Sequence, residues 1–274
     1  MSGARWGTKV VRDVTLAADP AREACFTVVN TDAEMVDWPG MSAEAGREKI
    51  HRHMNIELGA LEIASRALVD FPETPWELRM HLARQASDES RHAMVLHRRL
   101  VELGGYKGEF PIANFEWGVT GMVDNLPGRL AIQNRTFEAG LVDLLGLLRT
   151  RWREVGDNAT AEILEGILAD EITHVRFANR WIRRLSEADP RVLLSVARAV
   201  RFLTDVNQRL LPSLGDQNAV GVSVTKERLQ APAVNVEDRL AADFTEAEVA
   251  EVLRQAGFRS LLGSTAGETP GGRQ

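Results

Sequence analysis

Two short runs of this 274-residue chain carry the same chemistry: Asp88-Glu89-Ser90-Arg91-His92 and Asp170-Glu171-Ile172-Thr173-His174. In each, a Glu and a His stand three residues apart. On a helix that spacing puts both on one face, so both reach one metal ion or two adjacent ions. A lone glutamate precedes each run at a matching distance: Glu57 by 32 residues before Glu89, and Glu138 by 33 before Glu171. The surroundings of these two also correspond, Asn55-Ile56-Glu57-Leu58-Gly59-Ala60-Leu61-Glu62 with Thr136-Phe137-Glu138-Ala139-Gly140-Leu141-Val142-Asp143. Each half of the repeat is therefore Glu, then Asp-Glu-x-x-His. Carboxylate oxygens are hard donors that bridge cations, and imidazole suits iron and manganese. The candidate ligands are Glu57, Glu89, His92, Glu138, Glu171 and His174. Their four carboxylates offset the charge of two divalent ions, two Fe or a Mn/Fe pair.

Other residues take supporting roles. A ligating His usually donates its second N–H to a carboxylate, so Asp88 and Asp170 are each expected to serve the His of the opposing helix. His53 lies one turn before Glu57, as a donor to the site or a packed polar residue. Glu62 and Asp143 lie five residues beyond the lone glutamates. They read as surface positions, with an extra ligand or proton relay as the alternative. His81 and His97 read as solvated. Arg149, Arg151, Arg153, Arg180, Arg183, Arg184, Arg191, Arg198 and Arg201 read as helix-end charges. Tyr106, the only tyrosine, reads as a packing residue, as do Trp117, Trp152 and Trp181.

The elements that must position these groups are helices. Leu78, Leu82, Gln85, Glu89, His92, Leu96 and Leu103 follow three-and-four spacing, as do Ile163, Ile167, Glu171, His174, Ala178, Trp181 and Leu185. Ile50, His53, Glu57, Leu61, Ala64 and Leu68 form a third stripe. Leu130, Asn134, Glu138, Leu141, Leu145, Leu148 and Trp152 form a fourth. Each inward stripe thus carries a Glu. Burying an unpaired carboxylate costs several kcal/mol, and four would exceed the roughly 5–15 kcal/mol net stability of a domain. Bound cations resolve the conflict.

Punctuation sets the boundaries. Pro72 and Pro75 separate the first two helices, and Gly104-Gly105 ends the second. A turn-rich crossover spans about 104–122. A third helix runs from about Val123 to Val155, and a fourth runs to about Leu185, capped by Asp157 or Asn158. A fifth ends near Leu211-Pro212. Thr245 and Glu248 form a capping box for a last helix ending at Gln255-Ala256-Gly257. The expected architecture is all-α: residues 1–44 an irregular arm, 45–187 a four-helix bundle of two hairpins, 188–262 a helical extension, and 263–274 a disordered tail.

Composition narrows the class. Hydrophobic residues make up 44% and charged residues 26%, ordinary for a globular protein. A net charge of −6 is opposite in sign to that of most nucleic-acid binders. No stretch approaches the roughly 18 consecutive apolar residues of a membrane span. The N-terminus has no signal-type apolar run, and Cys25 is the only cysteine, so a reducing cytoplasm is the expected compartment. The expected partner is a small-molecule substrate, not nucleic acid or membrane; a homodimer is left open.

The chain resembles the ferritin-like superfamily, and within it an uncharacterised family of ferritin-like domains. The resemblance lies in His53-Met54-Asn55-Ile56-Glu57 through Glu62, in Asp88-Glu89-Ser90-Arg91-His92, in the hairpin end Leu103-Gly104-Gly105-Tyr106, and in Gly156-Asp157 together with Asp170-Glu171-Ile172-Thr173-His174. It covers about residues 45–187. It implies a dinuclear non-haem metal site and O₂ as co-substrate. Two function classes follow. One is an oxygenase or oxidase acting on a small metabolite by hydroxylation, N-oxygenation or desaturation, with electrons from an external donor or the substrate. The other is an iron-handling or peroxide-scavenging protein. The arm, crossover and extension favour the enzyme, because such additions build substrate walls and lids.

Overall fold

Ser42 opens the first long helix, α1 (Ala43–Asp70), by accepting a hydrogen bond from the Ala45 N–H at 3.2 Å. The computed structural model describes residues 6–31, 34–36, 38–210 and 234–255. A five-residue connection, fastened by the Thr74 hydroxyl on the Phe71 carbonyl at 2.6 Å, leads to α2 (Trp76–Glu102). The two pack as a hairpin.

The expected third helix exists in three continuous parts. Asn125 caps α4 (Leu126–Ile132) through the Gly128 N–H. A π-helical turn follows at Gln133–Glu138, and then α5 (Ala139–Glu154). After a tight turn, Asp157 rather than Asn158 caps α6 (Asn158–Ala188), accepting from Thr160 N at 2.9 Å. α5 and α6 form the second hairpin, while α2 and the π turn both pack on α6. Gly46 of α1 permits a close approach: a Cβ there would stand 2.7 Å from the Trp152 ring of α5.

The apolar stripes close around two centres. Ile50, Met54, Leu96, Leu145, Leu164 and Ile167 belong to one buried cluster. Leu78, Leu82, Leu130, Phe177, Ala178 and Trp181 belong to another. The Glu and His residues lie between them along every stripe. At the end of the α2 stripe, Leu100 is buried and Leu103 only partly so.

The arm departs from the irregular expectation. β1 (Thr8–Val11) and β2 (Val14–Ala17) pair antiparallel, with Val11 opposite Val14. Arg12 takes the left-handed φ of 46° in the two-residue turn. Val11, Val14 and Leu16 are buried against Val119, Val123, Leu203 and Val206, and this burial rather than turn chemistry holds the hairpin. β3 (Val28–Val29) pairs in parallel with β4 (Ile112–Ala113) of the crossover, which also holds α3 (Phe115–Thr120). The molecule is thus mostly helical with a few short strands.

Past α6, α7 (Val192–Leu210) packs on α4 and β2, while α8 (Val236–Ala241) packs on α5 and α6. α9 (Glu246–Gln255) carries the expected capping box: Thr245 N donates to Glu248 Oε2 at 2.8 Å, and Glu248 N donates to Thr245 Oγ1 at 3.2 Å. Leu211-Pro212, Ala256-Gly257 and the 263–274 tail lie outside the described residues. No helix among the described residues is long and apolar enough to cross a membrane.

Candidate metal centre

The six candidate ligands converge. α1 supplies Glu57, α2 Glu89 and His92, the last residue of the π turn Glu138, and α6 Glu171 and His174. None is more than 2% exposed. His92 Nδ1 lies 3.0 Å from Glu89 Oε2, 3.3 Å from Glu171 Oε1 and 3.4 Å from Glu57 Oε2. His174 Nδ1 lies 3.1 Å from Glu171 Oε2 and 3.2 Å from Glu89 Oε1. Glu89 and Glu171 therefore each present one oxygen to each imidazole, and the two rings stand 6.2 Å apart. Glu57 completes the His92 side, and Glu138 stands next to Glu171 on the His174 side. Donor atoms of Glu57, Glu89, His92 and Glu171 all lie within 4.8 Å of one another, a group that could hold a metal ion.

The far nitrogens of the imidazoles are held crosswise. His92 Nε2 meets Asp170 Oδ2 at 3.2 Å, and His174 Nε2 meets Asp88 Oδ2 at 3.3 Å. A proton donated from each Nε2 fixes the tautomer and leaves Nδ1 facing the carboxylates. Arg91, from within the first motif, donates to both aspartates, at 3.1 Å to Asp88 and 2.7 Å to Asp170. His53 Nε2 is 2.6 Å from Glu57 Oε1. Around Glu138 stands an amide cluster that the motifs did not reveal. Glu138 Oε1 accepts from Gln133 Nε2 at 2.7 Å and from Gln85 Nε2 at 3.1 Å, and Asn134 Nδ2 donates to Gln85 Oε1 at 2.9 Å. Gln85 and Asn134 were visible as polar residues on apolar stripes; Gln133 left no such signal.

The electrostatics describe a centre short of positive charge. Burial and the Glu171 charge push Glu89 up to about 7. Burial, Glu171 and Glu89 push Glu138 well above the usual carboxylate range. Burial opposes ionisation of Glu57 too, but neighbouring His53 and His92 outweigh it and bring that carboxyl down to about 2. Burial disfavours a charge on His92, yet contacts with Glu171, Glu57 and Glu89 raise it; His174 is raised likewise by Glu89 and Glu171. Glu57 Oε1 and Glu171 Oε1 are buried without a hydrogen-bond partner. Unsatisfied anionic oxygens beside two oriented Nδ1 atoms fit divalent cations.

The family described as "Protein of unknown function (DUF455)" matches residues 4–250. The chain belongs to the DUF455 family. The family match takes in the arm, both hairpins, α7, α8 and part of α9. An "Uncharacterized protein" of Haemophilus influenzae is 31% identical over 105 residues, 38% of this chain and 36% of that protein, so the match spans about a third of the relative's length. No solved structure matches.

In this DUF455 chain, Glu62 and Asp143 have a shared use. Arg22 of the arm forks onto Glu62 at 2.6 and 2.8 Å. Buried Arg239 of α8 binds Asp143 at 2.6 and 2.9 Å. The repeat-matched acids thus anchor the arm and the extension and lie outside the ligand group. Arg149 and Arg153 face Glu165, Arg180 and Arg183 face Asp243, Arg184 faces Glu77, and Arg191 faces Asp189; Arg198 and Arg201 are exposed. Tyr106 is 63% exposed and so is no packing residue, because the hairpin end turns its ring to solvent. His81 is exposed and stacks on Phe177, while His97 is half-buried. Trp117, Trp152 and Trp181 are buried in the core.

Proposed function

We propose that this chain is a ferritin-like dinuclear carboxylate protein that holds two iron ions and uses O₂ to oxidise a small organic molecule. One observation carries the reading: Glu89 and Glu171 each offer one oxygen to each of two imidazoles. That is the layout two adjacent cations need, with Glu57 and Glu138 as the outer carboxylates.

When bound, such a metal pair supplies O₂ activation through positions the protein leaves open. The chain's own residues do the rest. Asp170 and Asp88 accept the Nε2 protons and hold each imidazole with Nδ1 inward. Arg91 ties the two aspartates together at the protein surface, its side chain 58% exposed. His53 stands against Glu57, and the Gln85–Gln133 amides hold Glu138. Leu96, Ile167, Leu82 and Ala178 exclude water on either side along the helices. A dry surround of this kind strengthens each of these polar contacts.

The test is anaerobic loading with ferrous iron, metal analysis, and rapid mixing with oxygenated buffer in the presence of candidate metabolites. The reading expects two irons per chain and an oxidation whose course changes with a particular metabolite. Two irons that oxidise at one rate whatever organic compound is present would move the assignment to iron handling.

A further inference from the structure

We propose that the two metal positions are unequal and fill in order, the Glu57/His92 position first and the Glu138/His174 position second. The proposal rests on the dinuclear reading and adds to it an order and a cause.

Two observations carry it. Around His92, the donors of Glu57, Glu89, Glu171 and His92 itself already lie within 4.8 Å of one another. Glu57 Oε1 carries no amide N–H there; its near neighbour is His53 Nε2 at 2.6 Å. An ion arriving at this position finds its donors gathered. Around His174, the outer carboxylate is held elsewhere. Glu138 Oε1 accepts two amide N–H groups, from Gln133 at 2.7 Å and Gln85 at 3.1 Å, and Asn134 fixes the Gln85 amide from behind.

The internal repeat isolates the cause. Four residues before the lone glutamate stands His53 in the first half and Asn134 in the second. Four before the paired glutamate stands Gln85 in the first half and Ile167 in the second. The two halves share their ligands and differ in these neighbours: His53 stands against Glu57, whereas Asn134 and Gln85 build the amide group on Glu138. An ion taking the second position competes with two N–H groups for that carboxylate. Each hydrogen bond given up corresponds to a few-fold to about tenfold in a binding constant, and the two together to about tenfold or more.

The experiment is a titration of the metal-free full-length protein with Co²⁺, followed by visible absorption and by calorimetry; Co²⁺ accepts the same nitrogen and oxygen donors. The wild type should bind two ions in two steps, the first about tenfold or more tighter. Glu138→Ala should keep the first step at its wild-type affinity and end at one ion. Glu57→Gln should weaken the tight step by about tenfold or more. Gln133→Ala should leave the first step alone and strengthen the second several-fold, because Glu138 is released. Gln133 supplies none of the gathered donors, so this variant reports even if a carboxylate variant fails to fold, which circular dichroism will show. Two ions entering in one step of equal affinity would leave the dinuclear reading standing and overturn the order. A first step weakened equally by Glu138→Ala and Glu57→Gln would also overturn it. An unchanged second step in Gln133→Ala would remove the amides as its cause. A final stoichiometry of one would overturn the dinuclear reading and the order together.

Discussion

Replacing Glu89 with Gln keeps the shape of the side chain and removes one charge from the middle of the cluster. Glu89 is fully buried, and burial together with Glu171 moves its carboxyl from 4.5 to about 7, even with both imidazoles beside it. The sign follows from comparing folded and unfolded chains. Below about pH 4.5 the group is protonated in both, so the substitution changes little. Between 4.5 and 7 the unfolded chain gives up the proton while the folded chain keeps it, and stability falls as pH rises. Above about 7 the folded chain carries the charge, and the loss levels off. At about 1.4 kcal/mol per pH unit, the interval corresponds to about 3 kcal/mol. Glu89→Gln should therefore stabilise the metal-free protein at pH 8 by about 3 kcal/mol, or about 6–12 °C in Tm for a chain of this size. The gain should shrink to near zero at pH 4.5. Added ferrous iron under anaerobic conditions should reverse the order, raising the wild-type Tm by mass action and leaving the variant unmoved. Thermal denaturation in chelator and in metal, at both pH values, reads all four states. A variant less stable than wild type in chelator at pH 8 would refute the reasoning, because Glu89 would then be fully compensated by its protein neighbours and the centre would have no need of cations.

Other predictions follow from contacts farther out. Asp170→Asn weakens the acceptor of the His92 Nε2 proton; the protein should still bind two ions, with an oxygen reaction about 10- to 100-fold slower in stopped flow. Arg239→Ala leaves Asp143 without its guanidinium at the root of α8, and chemical denaturation should show a loss of about 3–5 kcal/mol, with metal stoichiometry unchanged. Gly108→Ala places a Cβ 2.3 Å from the Cys25 carbonyl oxygen on backbone with φ of +89°, and the melt should fall by at least the equivalent of about 1–3 kcal/mol.

The site was legible in the sequence to an unusual depth because its chemistry violates the pattern around it. Glu57, Glu89, Glu138 and Glu171 interrupt apolar stripes, and only a fold that gathers them explains four such interruptions at repeat spacing. The crosswise service of Asp88 and Asp170 followed from the same symmetry, since each lies beside its own motif and faces the other. What escaped notice depends on contacts between distant residues. Arg22 reaches Glu62 across 40 positions and Arg239 reaches Asp143 across 96, and neither pairing leaves a local trace. The β1–β2 hairpin turns through Arg12-Asp13 rather than through the Asn-Gly or Asp-Gly that signals such a turn; burial on α7 and the crossover decides it. The π turn at Gln133–Glu138 sets where Glu138 sits, yet its residues read as ordinary helix. Such turns are one-residue adjustments that recur at functional sites.

The most direct measurement is anomalous diffraction from crystals of the iron-loaded protein, collected at the iron edge. The account predicts two peaks per chain about 3.5–4 Å apart, one beside His92 Nδ1 and one beside His174 Nδ1, with Glu89 and Glu171 spanning both. A single peak, or peaks only at the exposed acids outside the two hairpins, would contradict it.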